Sequence, residues 1–271
     1  MVDELGYFGP DSVAWRILAD PSVLVGGLRA LLIQGTHPLA MAGVDQHSDY
    51  RDDPWGRLRR TTGFVMTVVF GSRSEADAAG ARVRGVHRHV EGVDGVTGRP
   101  YAAGDPELLA WVHNVVVHSF LTAYRRYGGW VSAADADRFV AEMGELARQV
   151  GLVDGGDAVG GSLAALVPVD VAGLRRWLRA ADGLQVTPAA RDGMHTILAP
   201  PMPALLRPVW AVPAVAAVSL LPGRIRAMYG LPWFPPAEPL VRVTTATLVR
   251  TLRIALPDPP PVRAARARRA A

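Results

Sequence analysis

The stretch that decides the fold is Arg57–Gly92, RLRRTTGFVMTVVFGSRSEADAAGARVRGVHRHVEG. It reads as two helices joined by a short turn. Ser72 and Glu75 have the spacing of a capping box, in which the serine side chain binds a backbone amide of the first turn and the glutamate reaches back to the serine. We therefore expect one helix over about 55–70 and a second over about 72–90.

Two arginines share one face of the first helix with apolar side chains. Positions i, i+3, i+4, i+7 and i+11 fall on the same side of an α-helix. Here those positions hold Arg57, Arg60, Thr61, Phe64 and Val68. Arginines aligned with apolar residues indicate a pocket or groove. The alternative is that both arginines extend from the helix start to the surface, as long charged side chains do.

The second helix carries two histidines, and one of them is predicted to face inward. Its apolar stripe consists of Ala79, Val83, Val86 and Val90. At roughly 100° per residue, His87 lies about 60° from the centre of this stripe and His89 about 100° from it on the other side. His87 is therefore the better candidate ligand, although an ordinary histidine at the helix flank is the alternative. We expect the helix to end through a left-handed residue at Gly92.

A third candidate histidine lies on the next helix, which begins at Asp105-Pro106 and is predicted over Leu108–Tyr127. This segment is apolar nearly all round, so we expect it to be central and buried. His113 shares a side of it with Val116 and Phe120 and therefore also faces inward. Because a buried histidine is most often a hydrogen-bonded core residue, His113 is a core residue, a rival ligand or a neighbour of the ligand.

The rest of the chain favours one all-α domain. Its 271 residues, 49% of them hydrophobic, are enough for a sizeable core. No long alternating strand pattern and no repeat of fixed period is present. Further helices are predicted from Ser22 to Gly35, Ser132 to Val150, Asp170 to Ala181 and Val241 to Ile254. A glycine-rich segment, Gly151–Gly161, lacks the nucleotide-binding spacings and is interpreted as a loop.

Charge and residue usage exclude several kinds of site. The chain has no cysteine and no lysine, which excludes disulfides, iron–sulfur clusters, thiolate ligands and lysine Schiff bases. Much of the formal net charge of +4 lies in residues 256–271, which contain Arg263, Arg266, Arg268 and Arg269. We interpret this segment as a disordered, solvated tail after a domain spanning residues 1–255, without a nucleic-acid partner. Contact with an anionic membrane surface is the alternative.

One apolar run bears on membrane contact. Leu205–Leu221 has about 17 residues, fewer than the roughly 20 that a membrane span needs, and Pro208 and Pro213 interrupt it. We expect a buried helix, or at most one that dips into a membrane surface. Since Asp3 and Glu4 precede any apolar run, no signal peptide is indicated. The expected location is cytoplasmic, with peripheral membrane contact as the other option.

The common catalytic motifs are missing. There is no GxSxG, no HExxH and no EF-hand loop. A carboxylate-bridged di-iron site in a helical bundle needs Glu-x-x-His pairs, and neither His87 nor His113 has a glutamate three residues before it. A single inward histidine among apolar helices fits haem better. Haem needs one protein ligand, an apolar slot and cations for its propionates.

Several short motifs, in a fixed order, also favour a haem protein. They are His37-Pro38, His47-Ser48, Asp53-Pro54-x-x-Arg57-x-x-x-Thr61, Phe70-Gly71, Val86-His87-x-x-Val90-x-Gly92, Tyr101, Asp105-Pro106 and Trp111-Val112-His113. In this order and spacing, the sequence resembles the MpaB-type oxygenase family, to which bacterial rubber oxygenase, or latex clearing protein, belongs. The resemblance covers roughly residues 5–255.

The resemblance implies an all-α, globin-like core around a b-type haem. His87 matches the family's proximal histidine, and Arg57 and Thr61 match the RxxxT motif of the distal helix. In rubber oxygenase, a lysine beside that threonine can occupy the distal iron position in a closed state. The matching residue here is Arg60, which stays protonated and cannot bind iron. We therefore expect neither that closed state nor rubber cleavage.

The remaining expected haem neighbours are Phe64, Val83 and His113. The implied activity is oxygenation of a small apolar or unsaturated substrate by O2 or peroxide at a His-ligated iron. Arg57 or Arg60 would stabilise developing charge, and Thr61 would supply a hydrogen bond. Two alternatives remain: a haem-free helical protein that binds a lipid or membrane surface through residues 205–221, and a haem-binding carrier or sensor without turnover. No substrate or oligomeric state follows from the sequence.

Overall fold

The computed structural model describes residues 5–152, 166–232 and 235–270, which are mostly helical. The α-helices are α1 Val13–Leu18, α2 Val23–Gln34, α3 Pro38–His47, α4 Pro54–Phe70, α5 Arg73–His87, α6 Pro106–Ala123, α7 Ala133–Glu142, α8 Gly144–Val150, α9 Val171–Ala180, α10 Pro188–Leu198, α11 Arg207–Ser219, α12 Gly223–Tyr229, α13 Glu238–Ala255 and α14 Pro260–Ala270. A π-helical turn, Tyr124–Gly128, follows α6, and 3-10 turns at Ala204–Leu206 and Pro235–Ala237 precede α11 and α13. The strands β1 Glu91–Val93 and β2 Pro100–Ala102 form an antiparallel pair. The predicted all-α fold class is confirmed.

Helices begin where the capping residues predict. The Ser72 hydroxyl accepts a hydrogen bond from the Glu75 amide at 3.2 Å, and the Glu75 carboxylate accepts one from the Ser72 amide at 2.7 Å. Asp53 caps α4 by accepting from the Gly56 amide at 2.8 Å, and Asp105 caps α6 in the same way. These bonds satisfy amides that a helix start leaves free.

The central helix is α6, and α2 packs against it more extensively than any other described helix does. A Cβ built on Gly26 would lie 2.8 Å from Phe120 Cδ1 and 3.0 Å from Phe120 Cα. Carbon atoms pack at about 3.5–4.0 Å, so only glycine permits this approach. Gly26 therefore determines how closely α2 and α6 pack.

A buried arginine lies in the same interface. Arg29 is 2% exposed. Its Nε donates to the Leu220 carbonyl at 2.9 Å, and its Nη1 donates to the Ser119 hydroxyl at 2.6 Å. Both partners are neutral, and burial lowers the pKa of Arg29 to about 10. The guanidinium remains charged at neutral pH, so the interface holds a positive charge that no described carboxylate pairs with.

The segment after α5 differs from the prediction. The helix ends at His87, and Gly92 is not a left-handed exit; it lies in β1 opposite Tyr101. A Cβ on Gly92 would come within 2.8 Å of the Tyr101 hydroxyl and 2.9 Å of Gln46 Oε1. Glycine is therefore required for close packing at this position. Strands of three residues are too short to show an alternating pattern, so the sequence indicated only a turn.

The predicted helix over 132–150 is two helices, α7 and α8, which meet at Met143. Met143 is fully buried, and Gly144, a poor helix former, follows it. Residues 153–161 of the predicted glycine-rich loop lie outside the described residues.

The C-terminal segment is not the solvated tail that its composition indicated. It forms α14, which packs against α4 and buries Val262 and Ala265 in the same apolar cluster as Phe70. Arg269 Nη2 donates to the Phe8 carbonyl at 2.8 Å. Small apolar residues alternate here with arginines, which gives a helix one apolar side and one side of hydrogen-bond donors. Composition alone does not distinguish such a helix from a basic tail.

The predicted apolar run is α11 together with its preceding turn, and it is buried on one side only. Ala214, Ala216 and Ala217 are buried, whereas Leu205 and Val209 are exposed. Among the described residues, no single helix has the length and apolar content needed to cross a membrane. Ala204–Ser219 and Gly223–Tyr229 reach those values only as a pair bent by 119°.

Gly26→Ala tests the close packing of α2 on α6. We expect a loss of about 1–3 kcal/mol in the free energy of unfolding, because the added methyl overpacks against Phe120. The matched control is Gly27→Ala, where a Cβ meets nothing within 4 Å and we expect a gain of about 0.5–1 kcal/mol. Urea denaturation of both variants measures the difference. Equal effects would contradict the packing argument.

Candidate functional site

The guanidinium of Arg57, in the first turn of α4, is half-buried and forms no hydrogen bond or ion pair with any residue in the described part of the chain. Burial is the largest cause that lowers its pKa; the neighbouring charge of Arg60 lowers it further, and Asp49 raises it. A half-buried cation without a counter-ion is energetically costly. It is therefore a candidate binding group for an anion.

Arg60 is placed differently from Arg57. Its side chain is 56% exposed and forms ion pairs with Asp49 and, at 3.7 Å, with Asp53. Its charge is therefore compensated at the surface, as the alternative interpretation of the two arginines anticipated. Thr61 is exposed, and its hydroxyl donates to the Arg57 carbonyl at 3.1 Å. The two acids were missed in the sequence, although acids just before an arginine-bearing first turn are a detectable signal for such pairing.

The position of α5 is determined by close contact with α8. A Cβ on Gly80 would lie 2.3 Å from Gln149 Oε1 and 2.7 Å from the Gln149 carbonyl oxygen. Arg84 Nη1 donates to the same carbonyl at 2.7 Å. The buried side of α5, Ala76, Ala79 and Gly80, is therefore fixed against its neighbours. His87 lies two turns after Gly80, on the continuation of this side.

His87 is half-buried, and burial lowers the pKa of its imidazole; the positive charge of Arg57 lowers that pKa further. This effect shows that the charge of Arg57 reaches the ring of His87. Nδ1 of His87 is buried and has no hydrogen-bond partner in the described part of the chain. A lowered pKa keeps the ring neutral at pH 7, which is the form that binds metals.

His89 has a different environment, as predicted. It is exposed, and its Nδ1 is 2.9 Å from the Gly85 carbonyl oxygen. It therefore provides a matched comparison for His87 on the same helix end.

The apolar neighbours predicted for the site are partly exposed. Phe64 and Val83 are half-buried, whereas Val86, predicted in the apolar stripe of α5, is 61% exposed. The middle of α4 is open, because a Cβ built on Gly63 meets nothing within 4 Å. Gly63 is itself exposed, so this part of α4 faces open space.

His113 is buried on α6, as expected from its position, and it is only 5% exposed. Burial alone lowers its pKa to about 4. Its Nδ1 has no hydrogen-bond partner among the described residues. No effect of Arg57 or His87 contributes to this shift, so the structure gives no sign that His113 belongs to the same electrostatic group.

The arrangement offers one neutral imidazole and one uncompensated cation. No group of three or more metal-binding side chains is found in residues 5–152, 166–232 and 235–270. One ring nitrogen of the imidazole can coordinate a metal ion whose other ligands belong to a bound cofactor. The guanidinium can bind a carboxylate or another anionic oxygen in a forked geometry.

The comparisons with known proteins give one match. Neither the search of curated proteins nor the search of solved structures finds a significant match. A family model described as "ER-bound oxygenase mpaB/B'/Rubber oxygenase, catalytic domain" matches residues 15–254. Arg57, Thr61 and His87 lie within these residues, which make up most of the chain. The chain therefore belongs to the mpaB/rubber oxygenase catalytic-domain family, a family of oxygenases.

Proposed function

We propose that this protein is a b-type haem-dependent oxygenase that oxidises a small apolar or unsaturated substrate with O2 or peroxide. The observation that carries the proposal is that His87 lies within electrostatic range of Arg57. One is a neutral imidazole with an unpartnered nitrogen, and the other is a half-buried cation without a counter-ion in the described part of the chain. Membership of an oxygenase family supports oxygen chemistry in general.

These residues fit haem. His87 would hold the iron, and Arg57 would supply an uncompensated positive charge close to it. Phe64 on α4 and Val83 on α5, both half-buried, would offer apolar contacts to the group. When bound, haem would supply the iron chemistry that activates O2 or peroxide.

The protein's own residues would provide orientation and charge. Arg57 is a fixed positive charge in a site partly shielded from water, where such a charge stabilises negative charge that develops on a reacting oxygen. Arg60 is already neutralised by Asp49 and Asp53, so we assign this role to Arg57. The Thr61 hydroxyl donates its proton to the Arg57 carbonyl. Its oxygen lone pairs therefore remain available to accept a hydrogen bond.

His87→Gly tests the ligand assignment. We expect the haem-reconstituted protein to show a Soret band, and the variant to lose it or shift it because the imidazole is missing. Added free imidazole should restore the band. His89→Gly should bind haem like the unmodified protein, since His89 is exposed and its ring contacts Gly85. Absorption spectra of reconstituted samples measure this. Absence of a Soret band in the unmodified protein would reject the haem proposal. Identical spectra for both variants would reject only the assignment of His87 as the iron ligand.

Arg57→Gln tests the charge assignment. We expect kcat/KM for an unsaturated lipid under O2 to fall by about 10²–10³, while the Soret band is retained. Arg60→Gln should have a much smaller effect, because its charge is already paired. Product analysis by mass spectrometry measures the rates. Haem binding without any product would favour the alternative of a carrier or sensor.

A second proposal concerns the surface formed by the outer sides of α11 and α13, which pack together. We propose that this surface contacts anionic membranes. Of the fifteen exposed large apolar residues in the described part of the chain, eight lie on these two helices or next to their ends: Leu205, Leu206, Val209, Val215, Leu240, Val243, Ile254 and Leu256. The same two helices carry the exposed arginines Arg207, Arg242 and Arg250. Exposed apolar residues among arginines suit an anionic lipid surface.

Flotation with vesicles tests this surface. We expect the protein to float with anionic vesicles at low salt and not with zwitterionic ones, since each arginine near the surface adds about 1 kcal/mol. Leu240→Asp with Val243→Asp should abolish flotation. The control is Val93→Asp with Val96→Asp, two exposed valines outside this surface. Equal loss in both double variants would contradict the assignment.

A further inference from the structure

A cavity of about 600 Å³ opens at the C-terminal end of α6. The π-helical turn Tyr124–Gly128, the end of α11 and the start of α13 surround it. Its polar lining residues are Thr122, Arg125, Arg126, Ser219, Arg226 and Glu238. None of its lining residues belongs to α4 or α5, so it is separate from the site around His87.

The lining carries an excess of positive charge. Arg125, Arg126 and Arg226 contribute three cations and Glu238 one carboxylate, which leaves +2. Glu238 is already ion-paired with Arg126. The guanidinium of Arg125 forms no hydrogen bond or ion pair with any described residue. Asp137 acts on Arg125 electrostatically but does not line the cavity.

One hydrogen-bond donor in the cavity wall also lacks an acceptor among the described residues. Nε of Arg126 is buried and has no partner in the described part of the chain, and a buried donor without an acceptor is destabilising. Arg226 is held at the wall, because its Nη1 donates to the Ser219 carbonyl at 3.2 Å and to the Leu221 carbonyl at 2.8 Å.

Positive charge extends behind the cavity wall. Arg29, itself buried, donates to the carbonyl of Leu220, which is a lining residue. His118 lies one turn before Thr122 on α6. Its pKa is lowered to about 3, by burial first and then by Arg29, Arg175 and Arg125. The field of this region is therefore positive well beyond the cavity itself.

We propose that this cavity binds a phosphate-bearing small molecule. A phosphate monoester carries about −1.5 to −2 at neutral pH, which matches the formal excess of +2, whereas a single carboxylate would leave half of it. Arginine forks also match phosphate oxygens geometrically. The volume lies in the range of about 300–1,000 Å³ typical of small-molecule sites, so an organic group accompanies the phosphate. The site is independent of haem and of the proposed oxygenase activity.

Calorimetric titration with phenyl phosphate tests the proposal, with phenol as the neutral comparator. We expect phenyl phosphate to bind and phenol not to bind. Arg125→Gln should weaken binding about tenfold or more, because a charge-assisted bond is lost. The matched control, Arg242→Gln, removes an exposed arginine of α13 that does not line the cavity and should leave the affinity unchanged. Circular dichroism melts verify that both variants are folded.

Glu238→Gln provides a change of the opposite sign. It removes the carboxylate that competes for Arg126, so binding should become tighter. No binding of phenyl phosphate, or equal affinities of the Arg125→Gln and Arg242→Gln variants, would overturn the site. If inorganic phosphate binds as tightly as phenyl phosphate, the inference that the ligand carries an organic group is wrong. Vesicles with phosphatidic acid distinguish a lipid headgroup: vesicle binding that is lost in Arg125→Gln, by a protein that does not bind phenyl phosphate, would overturn the soluble ligand.

Discussion

The close approach of α2 to α6 is the constraint on which the rest of the structure depends. Gly26 brings the two backbones together where any side chain would overlap Phe120. In the same interface, Arg29 bonds to Ser119 of α6 and to the carbonyl of Leu220 after α11. One buried cation thus connects three helices through neutral acceptors. The α6 helix, held in this way, carries His113 and ends at the cavity lined by Arg125, Arg126 and Arg226.

The candidate oxygenase site lies on α4 and α5, and it also depends on close contact between helices. The α5 helix packs against α8 at Gly80, where Gln149 leaves no room for a Cβ, and this contact directs the side that carries His87. The α4 helix supplies Arg57. A neutral imidazole and an uncompensated cation within electrostatic range are the features that a protein with a metal-bearing, anionic cofactor needs.

Local signals in the sequence predicted the helices around the site well. The capping box at Ser72, the Asp53 cap and the histidine's place on α5 follow from interactions within one turn, so they do not need the rest of the chain. The difference between Arg57 and Arg60 was missed. The acids before α4 are a local signal that a nearby arginine is paired, but only the structure shows that Asp49 pairs with Arg60. Likewise, Gly92 was expected to be a left-handed helix exit, but it lies in a hairpin, where it packs against Tyr101 and Gln46.

By itself, the sequence determined the all-α fold class, the starts of the main helices and the family resemblance that the family model bears out. Helix periodicity and capping are local, and short motifs are read directly from the chain. Only the tertiary structure decided which arginines keep an uncompensated charge, that residues 260–270 pack as a helix against α4, and that Arg125, Arg126 and Arg226 meet in one cavity. These features join residues up to about two hundred positions apart, and pairing at that distance depends on how whole helices pack.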